Sequence, residues 1–340
     1  MSRWRYFGRR LLLSVPILIF GMTITFIVLR MGPMDPVGAI LGPTGDPQAY
    51  QQIKNQLGLN QPLWAQYIDY MTNMLTFNLG KSWVLFPDRT ANSLIIEYAP
   101  RTIWLGFWSV LIAIFVGIPL GFYAGLNPNS WSDYFASFGG IVWRAMPNFW
   151  LAIIFLSVLS NSENILFGFD WQNWLVHTTV TGVPFNDPQE LTNPQGLLAA
   201  IKKIAPAAIV LGSASMGNEM RIGRTAVLET VNSNFIETAR AKGVPPRSLV
   251  WKHIFRNALI PLVPIITGEA FLLIGGSVLV ESVLDISGLG QLFFNAIMAG
   301  DLPLVGSLMF IFILLVVTIN IVQDILYTLI DPRVGYDGGA

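Results

Sequence analysis

An all-helical integral membrane protein with six transmembrane helices is the fold class that the sequence predicts, and three observations predict it. Of the 340 residues, 53% are hydrophobic and only 12% are charged, with a mean hydropathy of +0.56, too apolar for a soluble domain. Apolar runs long enough to cross about 30 Å of hydrocarbon recur at 11–30, 102–125, 134–160, 205–225, 263–284 and 304–329. The basic residues are segregated: Arg3, Arg5, Arg9 and Arg10 precede the first run, and Arg221, Arg224, Arg240, Lys242, Arg247, Lys252 and Arg256 crowd the connection between the fourth and fifth. The positive-inside rule puts both clusters on the cytoplasmic face. Six crossings then return the C-terminus to the side of the N-terminus.

The first run opens like a secretory signal, a charged start followed by an apolar stretch. It continues from about Leu11 to Leu29 without a small-residue cleavage site, so it reads as a retained helix. Two connections on the opposite face are long. Residues 31–101 hold an amphipathic stretch from Leu63 to Met71, and residues 161–204 are rich in Trp, Asn, Asp, Gly and Pro; both read as small structured caps. With no internal repeat or low-complexity segment, residues 1–340 read as a single transmembrane domain.

Several function classes fall away. The twenty basic and twenty acidic residues balance, so no global field points to nucleic acid. Without cysteine there is no disulfide, thiolate metal site or cysteine nucleophile. His177 and His253 stand alone and no His-Glu-x-x-His pattern occurs, so neither a metal nor a cofactor is expected in this chain. Gly80-Lys-Ser82 is the tail of a phosphate-binding loop, but the glycine that motif needs five residues earlier is Leu75. The fragment also falls outside the cell, and it reads as a turn that redirects the chain after Leu79.

The cytoplasmic connection 226–262 carries the sharpest local signals. Asn234 is placed to cap a helix, with Glu237 at capping-box spacing and favourably near the positive end of the helix dipole. Gly243 is placed as the left-handed residue that ends it, and Pro245 and Pro246 forbid continuation. From Arg247 to Leu259 a second segment has Leu249, Val250 and Ile254 on one side and Lys252, His253 and Arg256 on the other, ending before Pro261. Local physics leaves two readings open: a tidy connection whose charges serve topology, or a docking element. In the second, Ala239 and Ala241 form a low-profile face that enters a partner's groove while Arg240 and Lys242 meet acidic groups at its rim.

Glu237-Thr-Ala-Arg-Ala-Lys-Gly243 resembles the Glu-Ala-Ala-x-x-x-Gly signature of ABC importer permeases. Further stretches resemble the peptide/nickel branch of that family, specifically its first permease subunit, the oligopeptide or dipeptide "B" type. These are Arg9-Arg-Leu-Leu-Leu-Ser-Val-Pro16, Met34-Asp-Pro36, Leu57 through Tyr67, Asn78-Leu-Gly-Lys-Ser82, Leu228 through His253, Arg256 through Pro261, Gly288-Leu-Gly290 and Asp331-Pro-Arg333. Thr238 departs from the general signature's first alanine, and Gly243 to Pro261 is longer than in that signature. The resemblance implies a multi-pass, non-catalytic subunit of the cell membrane forming half of a translocation path, with the hairpin as a coupling helix (Asn234, Glu237, Thr238, Ala239, Arg240, Ala241, Lys242 and Gly243). It also implies the partners: a homologous second permease of the C type, two ATPase subunits holding ATP and Mg, and an external substrate-binding protein. The expected cargo is a di- or oligopeptide, with nickel chelates or oligosaccharides as alternatives within the branch.

Charges inside the spans are candidates for that path. Arg144 lies about ten residues into the third run, where an unpaired arginine costs on the order of 3 kcal/mol or more. Glu219 and Glu269 fall in the same inner half. The set reads either as an ion pair fixing helix register or as groups facing cargo. Pro147 is expected to bend the third helix, Asn148 to offer a polar contact, and Glu281 to sit at the gate or external rim. Rival classes are a secondary transporter and an intramembrane enzyme. The sequence shows neither the interrupted, repeated helices and self-contained ion site that the first requires nor the catalytic constellation that the second requires.

Overall fold

The computed structural model describes residues 3–42, 46–87, 89–176, 192–262, 268 and 277–330, all helix and connection apart from one isolated bridge between Lys81 and Thr90. Glu269, His177, Asp331-Pro-Arg333 and most of the predicted run 263–284 lie outside the described residues. Two compact units emerge, one from Trp4–Thr102 with Ser287–Thr318, the other from Ile103–Ile286 with the chain from Ile319.

In the first unit, α1 (Arg3–Met31) is followed by three short helices, α2 (Pro36–Leu41), α3 (Pro47–Gln56) and α4 (Leu63–Leu75), before α5 begins (Ala91–Ile112). Asp35 and Asp46 cap α2 and α3, each followed directly by proline at the first helical position, where the missing N–H costs nothing. The expected external connection 31–101 thus carries three short helices, and α5 takes its last residues from Ala91 onward. The unit's core gathers Met22, Leu94, Leu289, Leu292, Leu304 and Phe310, the last four residues being supplied by α12 (Leu289–Ala299) and α13 (Leu302–Ile330).

In the second unit, α5 passes through a wide turn at Ala113–Gly117 into α6 (Ile118–Leu126), and together they make one apolar span, Ala91–Leu126. Pro119 sits just past that turn; it has no N–H to donate and its ring crowds the carbonyl one turn back, which the wider spacing relieves. The next segment runs through α7 (Trp131–Tyr134), a second wide turn and α8 (Gly140–Ala145), then breaks by 96° before α9 (Asn148–Ser160). Met146 is extended at the break and Pro147 precedes α9, so the proline divides this helix where a bend was expected. The longest helix, α10 (Pro194–Val231), has 38 residues, about 57 Å at helical rise. It overshoots the bilayer, which is why the predicted 205–225 marks only its apolar middle.

Glycines set the approach of these helices. Gly117, Gly121 and Gly125 line one stripe of α6 and its entry turn, facing Met216, Met220 and Arg224 to Val227 of α10 in the same order, so the two helices run parallel. A Cβ on Gly121 would lie 2.4 Å from the Met220 carbonyl oxygen. On an adjoining face of α10, Gly140 meets Gly217 and the Trp143 indole donates to Ser213 Oγ at 2.9 Å, so α8 runs antiparallel. Close backbone approach of this kind replaces the hydrophobic drive that lipid cannot supply. Gly121→Val is expected to wedge the pair apart at a cost of about 1–3 kcal/mol or more. A lowered thermal midpoint of the detergent-solubilised protein would register it; an unchanged midpoint would show that the contact is slack.

Candidate functional site

The hairpin hangs from the ends of α6 and α10. Its first arm is α11 (Asn234–Ala241) and its second is a continuous helical stretch from Pro246 to Ala258, widely wound over Leu249–Phe255. Ser233, and not the expected Asn234, occupies the cap position; Asn234 is the first helical residue. The Ser233 hydroxyl turns back to donate to the Thr230 carbonyl at 2.6 Å, so α11 starts from the preceding turn's geometry with no side-chain cap, and the capping box with Glu237 does not form.

The other end of α11 follows expectation closely. Gly243 has φ +74°, its N–H donates to the Arg240 carbonyl at 2.9 Å, and the Val244 N–H donates to the Ala239 carbonyl at 3.2 Å. These two bonds complete a Schellman motif. Both need the left-handed turn at Gly243, and together they fix where the second arm begins.

Burial decides which face can meet a partner. Ile236 is 0% exposed and Ala239 is 9% exposed, packed with Phe122, Ala226, Val227, Leu249, Ile254 and Ala258. Ala239 therefore does not share an outward face with Ala241, as the sequence suggested; three residues beyond Ile236, it turns inward on the same helical stripe. Facing out are Phe235, Glu237, Thr238, Arg240, Ala241 and Lys242. The second arm adds exposed Arg247, Trp251, Lys252 and Arg256, so two aromatic rings sit among five cations and one acid. Such a surface suits an acidic socket with an apolar floor.

The hairpin's base is stiff. Phe122 of α6 stacks on Trp251 at 6.1 Å and meets Phe255 edge-on at 5.2 Å, while Trp251 and Phe255 lie 5.3 Å apart. Just above, Arg224 of α10 forms a two-point ion pair with Asp133 at the start of the third span, the Nη2 to Oδ2 contact being 2.9 Å. Asp133 is 3% exposed; it also accepts the Asn129 N–H at 2.9 Å and the Ser137 hydroxyl at 3.3 Å. The sequence reading counted Arg224 among the topology charges and missed this pair, which joins positions 91 residues apart.

Of the expected path residues, Arg144, Asn148, Glu219 and Glu281 lie among the described residues. Arg144 is exposed on α8, Asn148 is half-buried as the first residue of α9, and Glu219 is 0% exposed on α10. Measured from the Gly140 and Gly217 crossing, Arg144 and Glu219 lie on opposite sides, about 9 Å apart along the axes. Glu281 is also 0% exposed, beside the core residue Val280.

A second missed feature lies in the first unit. Asp301, 0% exposed, accepts the Ser82 hydroxyl at 2.5 Å, and backbone N–H groups of Trp83, Val84 and Leu85 point at its carboxylate from 3.0–3.1 Å. It also accepts the Leu304 N–H at 3.4 Å at the start of α13. The loop containing Gly80-Lys-Ser82 is thus an anion cradle after all, filled by the protein's own carboxylate. Gly80, at φ +73°, supplies the turn after Leu79.

The family described as binding-protein-dependent transport system inner membrane component matches residues 117–336, and its N-terminal companion matches residues 3–84. The chain is 34% identical over 334 residues to a dipeptide transport system permease protein of Alkalihalophilus pseudofirmus, covering 97% of this chain and 99% of the relative. It is 31% identical over 331 residues to an oligopeptide transport system permease protein of Bacillus subtilis, with 97% and 99% covered. A di/tripeptide transport system permease protein of Pseudomonas aeruginosa is 32% identical over 341 residues, with 97% and 98% covered.

Proposed function

The chain belongs to the family of binding-protein-dependent transport system inner membrane components, and from that premise we propose that it is one permease half of an ATP-driven importer of di- or oligopeptides. The observation that carries the proposal is the hairpin: an exposed basic and aromatic face on a base locked to α6 and α10. A lever needs stiffness and a socket, and this one has the first and fits the second. The proposed topology is six spans with both termini in the cytoplasm, in a single transmembrane domain. Four described helices are long and apolar enough to cross, and the broken pair around Pro147 makes a fifth; the run at 263–284 would complete the set. The parallel course of α6 and α10 and the antiparallel course of α8 agree with that alternation.

The partners in this reading are a homologous second permease, two ATPase subunits that hold ATP and Mg, and an external binding protein that delivers cargo. This chain supplies no bond-making step. Residues 234 and 237–243 couple to the ATPases, with Ala239 acting from beneath the face. Arg144 and Asn148 are the path residues with surface to offer cargo, while buried Glu219 and Glu281 hold helix register. Glu269 joins whichever set its helix places it in.

The test is uptake of a labelled mixed peptide library into vesicles holding the whole complex, set beside Phe235→Asp. Wild type is expected to accumulate peptide only with ATP. The variant keeps Ile236 and Ala239 packed and is expected to lose most of the bound ATPase on affinity purification. Uptake driven by an ion gradient without ATPase would overturn the reading.

A further inference from the structure

We infer that the membrane-boundary end of α1 holds an anionic phospholipid, its phosphate at Arg30 and Lys54 and one acyl chain in the groove beside Val28. Two clefts of the first unit meet there. One, about 290 Å³, is almost wholly apolar and is lined by Ile24, Val28 and Leu29 of α1, Phe293 and Ile297 of α12, and Val305 of α13. Its one hydroxyl, on Thr25, is already committed to the Gly21 carbonyl at 2.9 Å. The other, about 420 Å³, is polar and is lined by Arg30, Asp35, Tyr50, Lys54 and Gln66. Leu29, Gly32, Pro33 and Met34 line both, so an apolar trough opens directly into a charged one.

The charge balance of the polar cleft selects an anion. Asp35 is occupied, accepting the Val37 N–H at 3.0 Å as the α2 cap. Arg30 and Lys54, both half-buried, make no ion pair or side-chain hydrogen bond among the described residues. A half-buried guanidinium without a counterion at the end of a membrane span is costly unless a phosphate reaches it. Arg30 is in the last turn of α1, at the level where headgroups lie, and a bidentate guanidinium suits a phosphodiester. An amphiphile with an anionic head and an aliphatic tail matches both halves of the site, whereas a polypeptide would leave either the cations or the trough unmatched.

The chain has no cysteine, so one introduced cysteine is its single thiol and adducts on this chain report that position. Val28, 63% exposed within the trough, is changed to cysteine (Val28→Cys) and labelled with a photoreactive maleimide in vesicles of phosphatidylglycerol mixed with phosphatidylcholine. Mass spectrometry of the adducts follows. The expected result is a phosphatidylglycerol adduct enriched over its bulk fraction, with enrichment falling about fivefold for each of Arg30→Gln and Lys54→Gln. Adducts to a second permease or to another copy of this chain in place of lipid would overturn the inference. So would lipid adducts at the bulk ratio, or enrichment that neither glutamine variant alters.

Discussion

Arg224→Met is expected to destabilise the folded permease by about 3–5 kcal/mol, because it strands a carboxylate that the fold keeps out of water. Asp133 is 3% exposed and its oxygens retain only the Asn129 N–H and the Ser137 hydroxyl once the guanidinium is gone. Methionine fills a similar volume, so lost packing adds little. The control is the double variant with Asp133→Asn, which removes the stranded charge and is expected to be more stable than Arg224→Met alone. Thermal unfolding of the purified complex in detergent reads both. Equal midpoints for wild type and Arg224→Met would show the pair to be ornamental.

Asp301→Ala is expected to be as damaging, through loss of acceptors. Three consecutive backbone N–H groups, the Ser82 hydroxyl and the Leu304 N–H all converge on that carboxylate. Leaving buried donors unmatched costs about 1–3 kcal/mol each where water does not reach them, and α13 loses its cap. The loop 79–86 also relies on the Ser307 hydroxyl donating to the Leu79 carbonyl at 2.8 Å, so it is expected to detach in part without abolishing the membrane helices. Limited proteolysis between Gly80 and Phe86 should become rapid in Asp301→Ala and intermediate in Asp301→Asn, whose amide keeps one acceptor oxygen. Protection equal to wild type in the alanine variant would contradict the role assigned to Asp301.

What the sequence made legible was whatever is local. Gly243 followed by two prolines announced the end of α11, and Pro147 announced a break, because both act through their own backbone. The described apolar runs appear as helices, longer than the runs themselves, since α10 continues beyond the hydrocarbon on polar residues such as Lys202 and Glu229 that hydropathy discards. Asn234 misled because Ser233 takes the cap position one residue earlier, with its hydroxyl turned back to Thr230. Ala239 misled because small size was taken for a docking face when it serves close packing over Ile236 and Val227. Asp133 with Arg224 and Asp301 with Ser82 are separated by 91 and 219 residues, so no spacing in one chain reveals them. The glycine stripe at 117, 121 and 125 was readable at its four-residue spacing, which marks a helix surface built for close approach.

On the proposed function, α11 transmits the partner's work to α6 and α10, and Gly243→Pro separates docking from transmission. Proline requires φ near −65°, against the +74° found there, and removes the N–H that donates to the Arg240 carbonyl. The second arm is then misaligned while Ile236 and the base of the hairpin stay packed. In vesicles holding the whole complex, the expected result is retained assembly with ATP-dependent peptide uptake lost. Uptake at the wild-type rate in an assembled Gly243→Pro complex would contradict it.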